Sequence, residues 1–581
     1  MATGIVREYI GARYVPKFFE NENNTPEWAP NVQYEPLTIV TYNSNSYTSK
    51  KPVPASVGNP SDNPTYWAST GNYNAQVEAY RQEVVQFKND ILDQIGTVSP
   101  MDYGAVGDGV TDDSAAVQAA GAAGIVFDPD HVYYIGETVT LVYGAKDTNF
   151  YLDKDAMIRS DSGKSIYIGN KIHKNPAELD DGTRGQWSLN VANQKPICIM
   201  QNEIYNAVSG IYVEYCSGII ADNYIHDVPQ LGLAAGGNGY GILLIGCEGV
   251  SICNNLFKDV GRHEVYLSID TTPSPRNRNI SIHDNVFRRT SATVGSTSGF
   301  EMCISIRPSV NVHIHHNIFD GVQSVCNGIM QVTGDAAYAL GTEGLFIDSN
   351  IINASKNSVR PADGIFTFGG KPSGVDGHVY TNVFITNNLL TNIEQITNNC
   401  IMKIQSVKNI CVKGNRTMNC SFSIGVNMSD MEDQNNPENI SFIDNDFGYV
   451  DSFFIKCTGT GRNMGKMEFI GNKLDVYYFM QFPTNTVITE FTCRDNVFKV
   501  VGNINPTNNA TLSKVSISGN SSNIKLTWAM NIANAEWLDY DNTFAPLAAG
   551  SYPNMRRGAV LAFADHTIGI VQDNGTIKVL S

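Results

Sequence analysis

A mainly β fold, in which parallel strands coil into a right-handed parallel β-helix, is what this 581-residue sequence predicts. Two observations carry that expectation. A short phrase keeps returning between about residues 202 and 520: an alternating apolar run, a small polar pair ending in Asn, and often an apolar residue after it. It reads IIADNYI, VSICNNLF, ISIHDNVF, VHIHHNIF, FIDSNII, ITNNLL, ISFIDNDF, MEFIGNKL and FTCRDNVF, at Asn223, Asn255, Asn285, Asn317, Asn350, Asn388, Asn445, Asn472 and Asn496. Neighbouring members differ by steps such as 32, 30, 32, 33 and 24. A fixed phrase with elastic spacers of roughly 20–50 residues marks a stacked repeat. Within each unit the alternation has period two and β-branched residues are enriched, so the unit is built of strands and not of helix pairs.

In such a stack successive coils lie ~4.8 Å apart, the ordinary strand spacing. Asn suits the bend between two strands because it tolerates left-handed backbone angles, and stacked amides can hydrogen-bond along the axis. The phrase asparagines are therefore read as a structural ladder.

Bulk properties narrow the function. A net charge of −17 disfavours nucleic acid and anionic membranes as partners. There is no run of about eighteen apolar residues, and MATGIVREYIG lacks the apolar core of a signal peptide, so the expectation is a soluble chain that folds where it is made. The eleven cysteines contain no CxxC pair, and Cys216 falls in register with Cys247; free, buried, stacked thiols are expected in place of disulfides or zinc.

Residues 1–73 are aromatic-rich and short-stranded, with Trp28, Tyr34, Tyr42, Tyr47 and Trp67 around TIVTY, a turn and SYTSK. This reads as a small β-module with a hairpin. The run resembles the chitin-binding type of carbohydrate module, which implies an aromatic sugar platform; in so small a module the same rings can equally be its core. Residues 74–97 follow as a helical neck. Val77, Tyr80, Val84, Phe87 and Ile91 are spaced three, four, three, four, an a/d seam fit for a trimeric coiled coil, the alternative being an amphipathic helix packed on its own chain.

The segment MDYGAVGDGVTDDSAAVQAA, Met101–Ala120, closely resembles the opening segment of pectate-lyase-like β-helix proteins, many phage tailspikes among them. Physically its glycines allow tight turns, Thr111 or Asp112 caps a short helix, and its alanines give that helix a small face to cover the first coil. Asp108, Asp112 and Asp113 are accordingly turn and cap residues. With the N-terminal module and the neck, the chain resembles a phage tailspike or neck-appendage protein. That resemblance implies a homotrimer located in the virion, attached to a tail or neck component through the N-terminal module, that engages a bacterial surface polysaccharide (capsule or wall teichoic acid). No cofactor and no metal are expected. The β-helix is placed at 98–535, with KIHKNPAELDDGTRGQW as an excursion, and 536–581 as a C-terminal cap with strands around Asp573-Asn574-Gly575.

A sugar groove on a coil must use the outward positions of one sheet. Aligning Val265, Leu267 and Ile269 with Met302, Ile304 and Ile306, and these with Met330 and Val332, Phe366 and Phe368, Met402 and Ile404, sets the outward columns. They read Glu264 over Glu301, then Asn327 and Asp363; Tyr266 over Cys303; Ser268 over Ser305, Gln331, Thr367 and Lys403; and Asp270 beside Arg307. Carboxyls one coil apart would be ~5 Å apart and two coils apart ~10 Å. Retaining glycosidases need about 5–5.5 Å and inverting ones about 6.5–9.5 Å. Glu264, Glu301, Asp363 and Asp270 are thus the candidate catalytic acids, with Arg262, His263, Tyr266, Arg307, Gln331 and Lys403 binding substrate. The competing reading is a surface acid column neutralised by Arg262, Arg307 or Lys403.

Two smaller readings accompany it. Cys253, His283 and His315 fall in one column with His313 nearby, a set that lacks an acid to complete a metal site. GRHEVY can serve a lyase, Arg262 neutralising a uronate and His263 or Tyr266 acting as base. The function expected is a spike that binds and cleaves a surface polysaccharide by glycoside hydrolysis, with non-enzymatic adhesion or a lyase as the alternatives.

Overall fold

Strand after strand, the apolar alternation is buried in one continuous core. The structure is a computed structural model. It describes residues 17–18, 27–71 except 37 and 44, 95–161, 165–175, 186–229, 238–269, 275–290, 302–321, 330–332, 341–353, 364–369, 380–393, 400–405, 407–428, 437–457, 463–483, 485–500 and 511–522, together with the backbone of short strands between 527 and 580. The chain divides into two compact units, 1–89 and 90–581.

In the first unit, strands Thr38–Tyr42, Asn45–Ser49 and Trp67–Gly71 pair antiparallel in sequence, and Lys17–Phe18 adds in parallel to the first. The aromatic residues divide between the core of this unit and its margin. Tyr34, Tyr47 and Trp67 are buried with Val40 and Val53 as the core of this unit, while Trp28, Tyr42 and Tyr66 pack against its margin. The Tyr34 and Trp67 rings meet edge to face at 5.2 Å. The heptad-spaced segment of the neck lies outside the described residues.

The second unit is a parallel β-helix with three strands per coil. One coil shows the plan: Val250–Cys253, a corner at Asn254-Asn255, Leu256–Val260, a turn, His263–Ser268, then a connection to the next first strand, Asn277–His283. Within the coil, strands pair in parallel with their equivalents one turn away, for example Ile252 with Ile282 and Phe257 with Phe287. Like residues therefore stack: Phe257, Phe287 and Phe319 lie face to face with centroids 5.1 and 4.6 Å apart. Each fully buried Ile, Val, Leu or Phe contributes about 1.5–3 kcal/mol relative to exposure, and this burial, repeated in every turn, holds the long coil together. All ten cysteines among the described residues are free, and Cys216 and Cys247 are both fully buried.

The asparagine ladder is longer than the phrase revealed. Thirteen residues take part, from Asn170 through Asn202, Asn223, Asn255, Asn285, Asn317, Asn350, Asn388, Asn415, Asn445, Asn472 and Asn496 to Asn520; each backbone N–H donates to the next side-chain oxygen at 2.9–3.1 Å. The left-handed backbone, however, belongs to the residue before each ladder Asn. Gly169, Gln201, Asp222, Asn254, Asp284, His316, Ser349, Asn387, Gly414, Asp444, Gly471, Asp495 and Gly519 all have φ between 53° and 70°. The corner residue turns the chain, and the Asn it delivers points inward to spend its amide on its neighbours.

At the start of the coil the helix Ser114–Ala123 buries Ala116, Val117 and Ala120 in the β-helix core. Its small face is required: a Cβ on Gly121 would sit 2.3 Å from Leu141 Cδ2. The Asp113 carboxylate accepts the amides of Val106 and Gly107 at 2.7 and 3.0 Å, and Asp108 accepts those of Val110 and Thr111 at 2.8 and 2.7 Å. Asp112, and not Thr111, receives the first helical amide, that of Ser114, at 3.0 Å. At the other end, Val560–Ala562, Ile568–Val571 and Ile577–Leu580 form a three-stranded antiparallel sheet. No described helix is long and apolar enough to cross a membrane.

Candidate functional site

The third strands carry the candidate site on their outer face. Their register differs by two residues from the sequence alignment at one step only: Val265 pairs with Ile304 and Leu267 with Ile306. From there on the alignment holds, Ser305 pairing with Gln331, Gln331 with Thr367 and Thr367 with Lys403. The residue that stands before Ser305 in that column is thus Tyr266 and not Ser268. Upstream the column continues to Leu243 and Tyr212, downstream to Asn427 and Lys456. A two-residue slip keeps every side chain on its face, so the inward set was read correctly while the outward neighbours changed.

Glu264 is the main correction. It was expected on the outer face beside Glu301, but it is fully buried and paired with Arg289, Nε to Oε1 at 2.7 Å and Nη2 to Oε2 at 2.6 Å. At the beginning of its strand the alternation is suspended, and His263, Glu264 and Val265 are all buried. A carboxylate enclosed and neutralised in this way can neither attack a sugar nor hand it a proton. Glu301, Asp363 and Asp270 lie outside the described residues, as does the Gln331 side chain. His263 is buried too, with Nδ1 2.8 Å from the Met302 carbonyl oxygen, which ties up one ring nitrogen and removes it from solvent.

What the fold does bring together is an aromatic and cationic face. The Tyr240 ring stacks on Trp187 at 5.7 Å and 10°, and on Tyr266 at 5.4 Å and 23°. Tyr212 leans on Trp187 at 5.4 Å. The Arg262 guanidinium lies 5.1 Å from the centre of the Tyr240 ring, and Arg307 Nε donates to the Tyr266 phenol oxygen at 3.1 Å. Leu243 and Ile245, outward residues of the same coil, are covered by these rings. Of the six expected binding residues, Arg262, His263, Tyr266 and Arg307 converge here, and Lys403 stands four coils along the same column. Trp187, Tyr212 and Tyr240 were missed because the alignment began at Val265; extending it upstream would have placed Tyr212 and Tyr266 two coils apart in one column.

The histidine column on the first strands assembles as expected. Cys253 pairs with His283, His283 with His315, and His315 with Asp348, so an acid does complete the column. The rings of His283 and His315 stack at 4.9 Å and 1°, which aims their nitrogens in parallel. Burial pulls the His283 pKa down, but its bonds to Asp284 and Cys253 outweigh that and carry it up to about 9. Burial together with the charge of His283 pushes His315 down to about 3, and burial alone takes His313 to about 4. Among the described residues no group of three or more His, Cys, Asp or Glu is placed to hold a metal ion.

Within this chain, residues 156–343 match the family described as "right handed beta helix region". No curated protein matches the chain. Solved structures similar to it include PfbA, a surface adhesin of Streptococcus pneumoniae (14% identity, 84% of this chain and 98% of that one, TM-score 0.37). Another is the catalytic unit of a thermostable GH87 alpha-1,3-glucanase from Streptomyces thermodiastaticus (14% identity, 69% and 68%, TM-score 0.39). A third is a mutant tailspike protein of E. coli bacteriophage HK620 in complex with pentasaccharide (11% identity, 74% and 80%, TM-score 0.40).

Proposed function

We propose that the chain binds an acidic polysaccharide of a bacterial surface along the outer face of its third strands, as the receptor-binding spike of a virion. One observation carries the reading. Tyr266 is held with its ring against Tyr240 and its oxygen on Arg307, beside Arg262, so aromatic surface and fixed positive charge share one face. Aromatic side chains accept the apolar faces of sugars, and guanidinium groups pair with carboxylate or phosphate. On a chain of net charge −17 such a patch selects where an anionic glycan can settle. The resemblance of Met101–Ala120 to the opening segment of tailspikes supports placing the chain in a virion, as a homotrimer joined to a tail or neck component through its N-terminal residues. Multi-angle light scattering that returned a monomer at micromolar concentration would remove the trimer from this reading.

The binding claim is tested with immobilised acidic and neutral capsular polysaccharides. Binding of the acidic glycan is expected to weaken as salt is raised, and by about tenfold in Tyr266→Ala and in Arg307→Gln. Equal binding of neutral glycan, or unchanged binding by both variants, would overturn it.

A second reading rests on the same Tyr266–Arg307 contact. In a lyase the Tyr266 oxygen, having first given its own proton to solvent, takes the proton α to a uronate carboxylate that Arg262 neutralises. The electron pair left behind forms a carbon–carbon double bond, the bond to the β oxygen breaks, and that oxygen takes a proton from solvent. Ultraviolet absorbance of unsaturated uronate on incubation with host polysaccharide separates the two readings. Its appearance establishes the lyase; its absence at full binding, with no reducing ends released, leaves an adhesin.

A further inference from the structure

We propose that a cavity in the later coils, lined by four successive turns, is a second binding site, built for a single sugar ring or comparable cyclic polyol. The cavity measures about 380 Å³ and is lined in part by Asn392, Ile393, Asn419, Ser421, Tyr449 and Asp475. That volume is near the lower end of the roughly 300–1,000 Å³ typical of small-molecule sites.

Its origin is a fault in the coil. The strand Asp446–Lys456 slips its register between Phe447 and Val450 and again between Val450 and Phe453, and bulges of this kind open a sheet locally. A side-chain ladder ends at the fault. Asn353 Nδ2 donates to Asp320, Asn392 Nδ2 to Asn353 Oδ1 at 2.9 Å, and Asn419 Nδ2 to Asn392 Oδ1 at 2.8 Å. In the next coil Gly448 and Tyr449 occupy the place where another rung would stand, so the ladder ends at Asn419, on the wall of the cavity.

Two further oxygen-bearing side chains line it, those of Tyr449 and Asp475. Tyr449 donates its phenol proton to Asp451 at 2.9 Å, which turns its oxygen lone pairs to other donors. Burial, that bond and the charges of Asp451 and Asp475 hold the Tyr449 pKa above its ordinary value, so the proton stays in place. Asp475 gives one oxygen to Lys499 at 2.7 Å, while its Oδ1 is shut off from solvent with no hydrogen-bond partner. A buried oxygen without a donor is costly, and rotation of a carboxylate about its last bond exchanges the two oxygens readily. The wall therefore asks for a ligand with several donors at once. Because Lys499 already balances the Asp475 charge, the fitting donors are neutral hydroxyls and not a second cation. Ile393, buried in the β-helix core, closes the cavity from the inside.

The site stands independently of the aromatic face. Its test is saturation-transfer NMR on the full chain with the methyl glycosides of glucose, galactose, mannose and N-acetylglucosamine, and with methylammonium chloride as the cation probe. At least one glycoside is expected to bind in the millimolar range, with affinity falling about tenfold in Asp475→Ala and in Asn419→Ala, and with methylammonium unbound. Asn419 is exposed, so its variant decides the matter if Asp475→Ala fails to fold. Failure of every glycoside with the wild-type chain, unchanged affinity in a folded variant, or binding of methylammonium alone would each overturn the proposal.

Discussion

Arg289 and Glu264 form a two-pronged ion pair at 2.6 and 2.7 Å with side chains 1% and 0% exposed, tying the end of one second strand to the start of a third strand in the neighbouring coil. Its place in the interior makes it a stability element. Removing one partner leaves the other charge buried and alone, which typically costs about 3–5 kcal/mol, whereas replacing both with apolar residues is often close to neutral. Glu264→Gln and Arg289→Met are each expected to lower the unfolding free energy on that scale in denaturant titration, and Glu264→Leu combined with Arg289→Met to recover most of it. A single variant within ~1 kcal/mol of wild type would show that the pair is not holding the corner.

The asparagine ladder predicts a gradient along the coil. Asn317 Oδ1 accepts two bonds from Asn285, and its amide donates to Asn350 Oδ1 and the Ile282 carbonyl. Asn317→Ala strands several buried groups and should cost about 3 kcal/mol, while Asn520→Ala, at the far end of the described ladder, should cost about 1 kcal/mol. Equal losses at the two sites would contradict a cooperative ladder.

The histidine column predicts opposite pH trends. His283 titrates near 9 in the fold against about 6.5 when unfolded, so its stabilisation is complete below pH ~6.5 and is lost as pH rises towards 9. His313 and His315, held near 4 and 3, do the reverse: the unfolded chain takes up protons first, and stability falls as pH drops from about 6.5 towards those values. Melting temperature should therefore peak near pH 6–7, and Asp284→Asn should remove the alkaline slope while sparing the acid one. A carbon-detected NMR titration placing His283 near 6.5 in the wild type would refute the assignment.

On the aromatic face, Tyr266→Phe keeps the ring on Tyr240 and deletes the oxygen that Arg307 reaches. A small effect on glycan binding, about twofold, is expected beside the tenfold of Tyr266→Ala, because the ring supplies most of the contact. If the lyase reading holds, the same Phe variant instead abolishes turnover while binding persists, a division that binding alone cannot produce.

The sequence by itself determined the repeat, the parallel coil, the ladder and the inward column of each strand, because period-two burial and an Asn at every corner are local patterns that each coil restates. It also placed Ser305, Gln331, Thr367 and Lys403 in one column, since those coils repeat without slips. Only the tertiary structure decided what stands next to what across coils of unequal length. A two-residue change of register leaves every inward residue inward and so is invisible to alternation, yet it put Tyr266 beside Ser305 and Glu264 beside Cys303. Nothing local to HEVYLS announces that an arginine 25 residues later will enclose its glutamate, nor that rings from Trp187 to Tyr266 will stack; those contacts exist because coiling brings distant residues within ~5 Å, and their partners are fixed by loop length and not by sequence pattern.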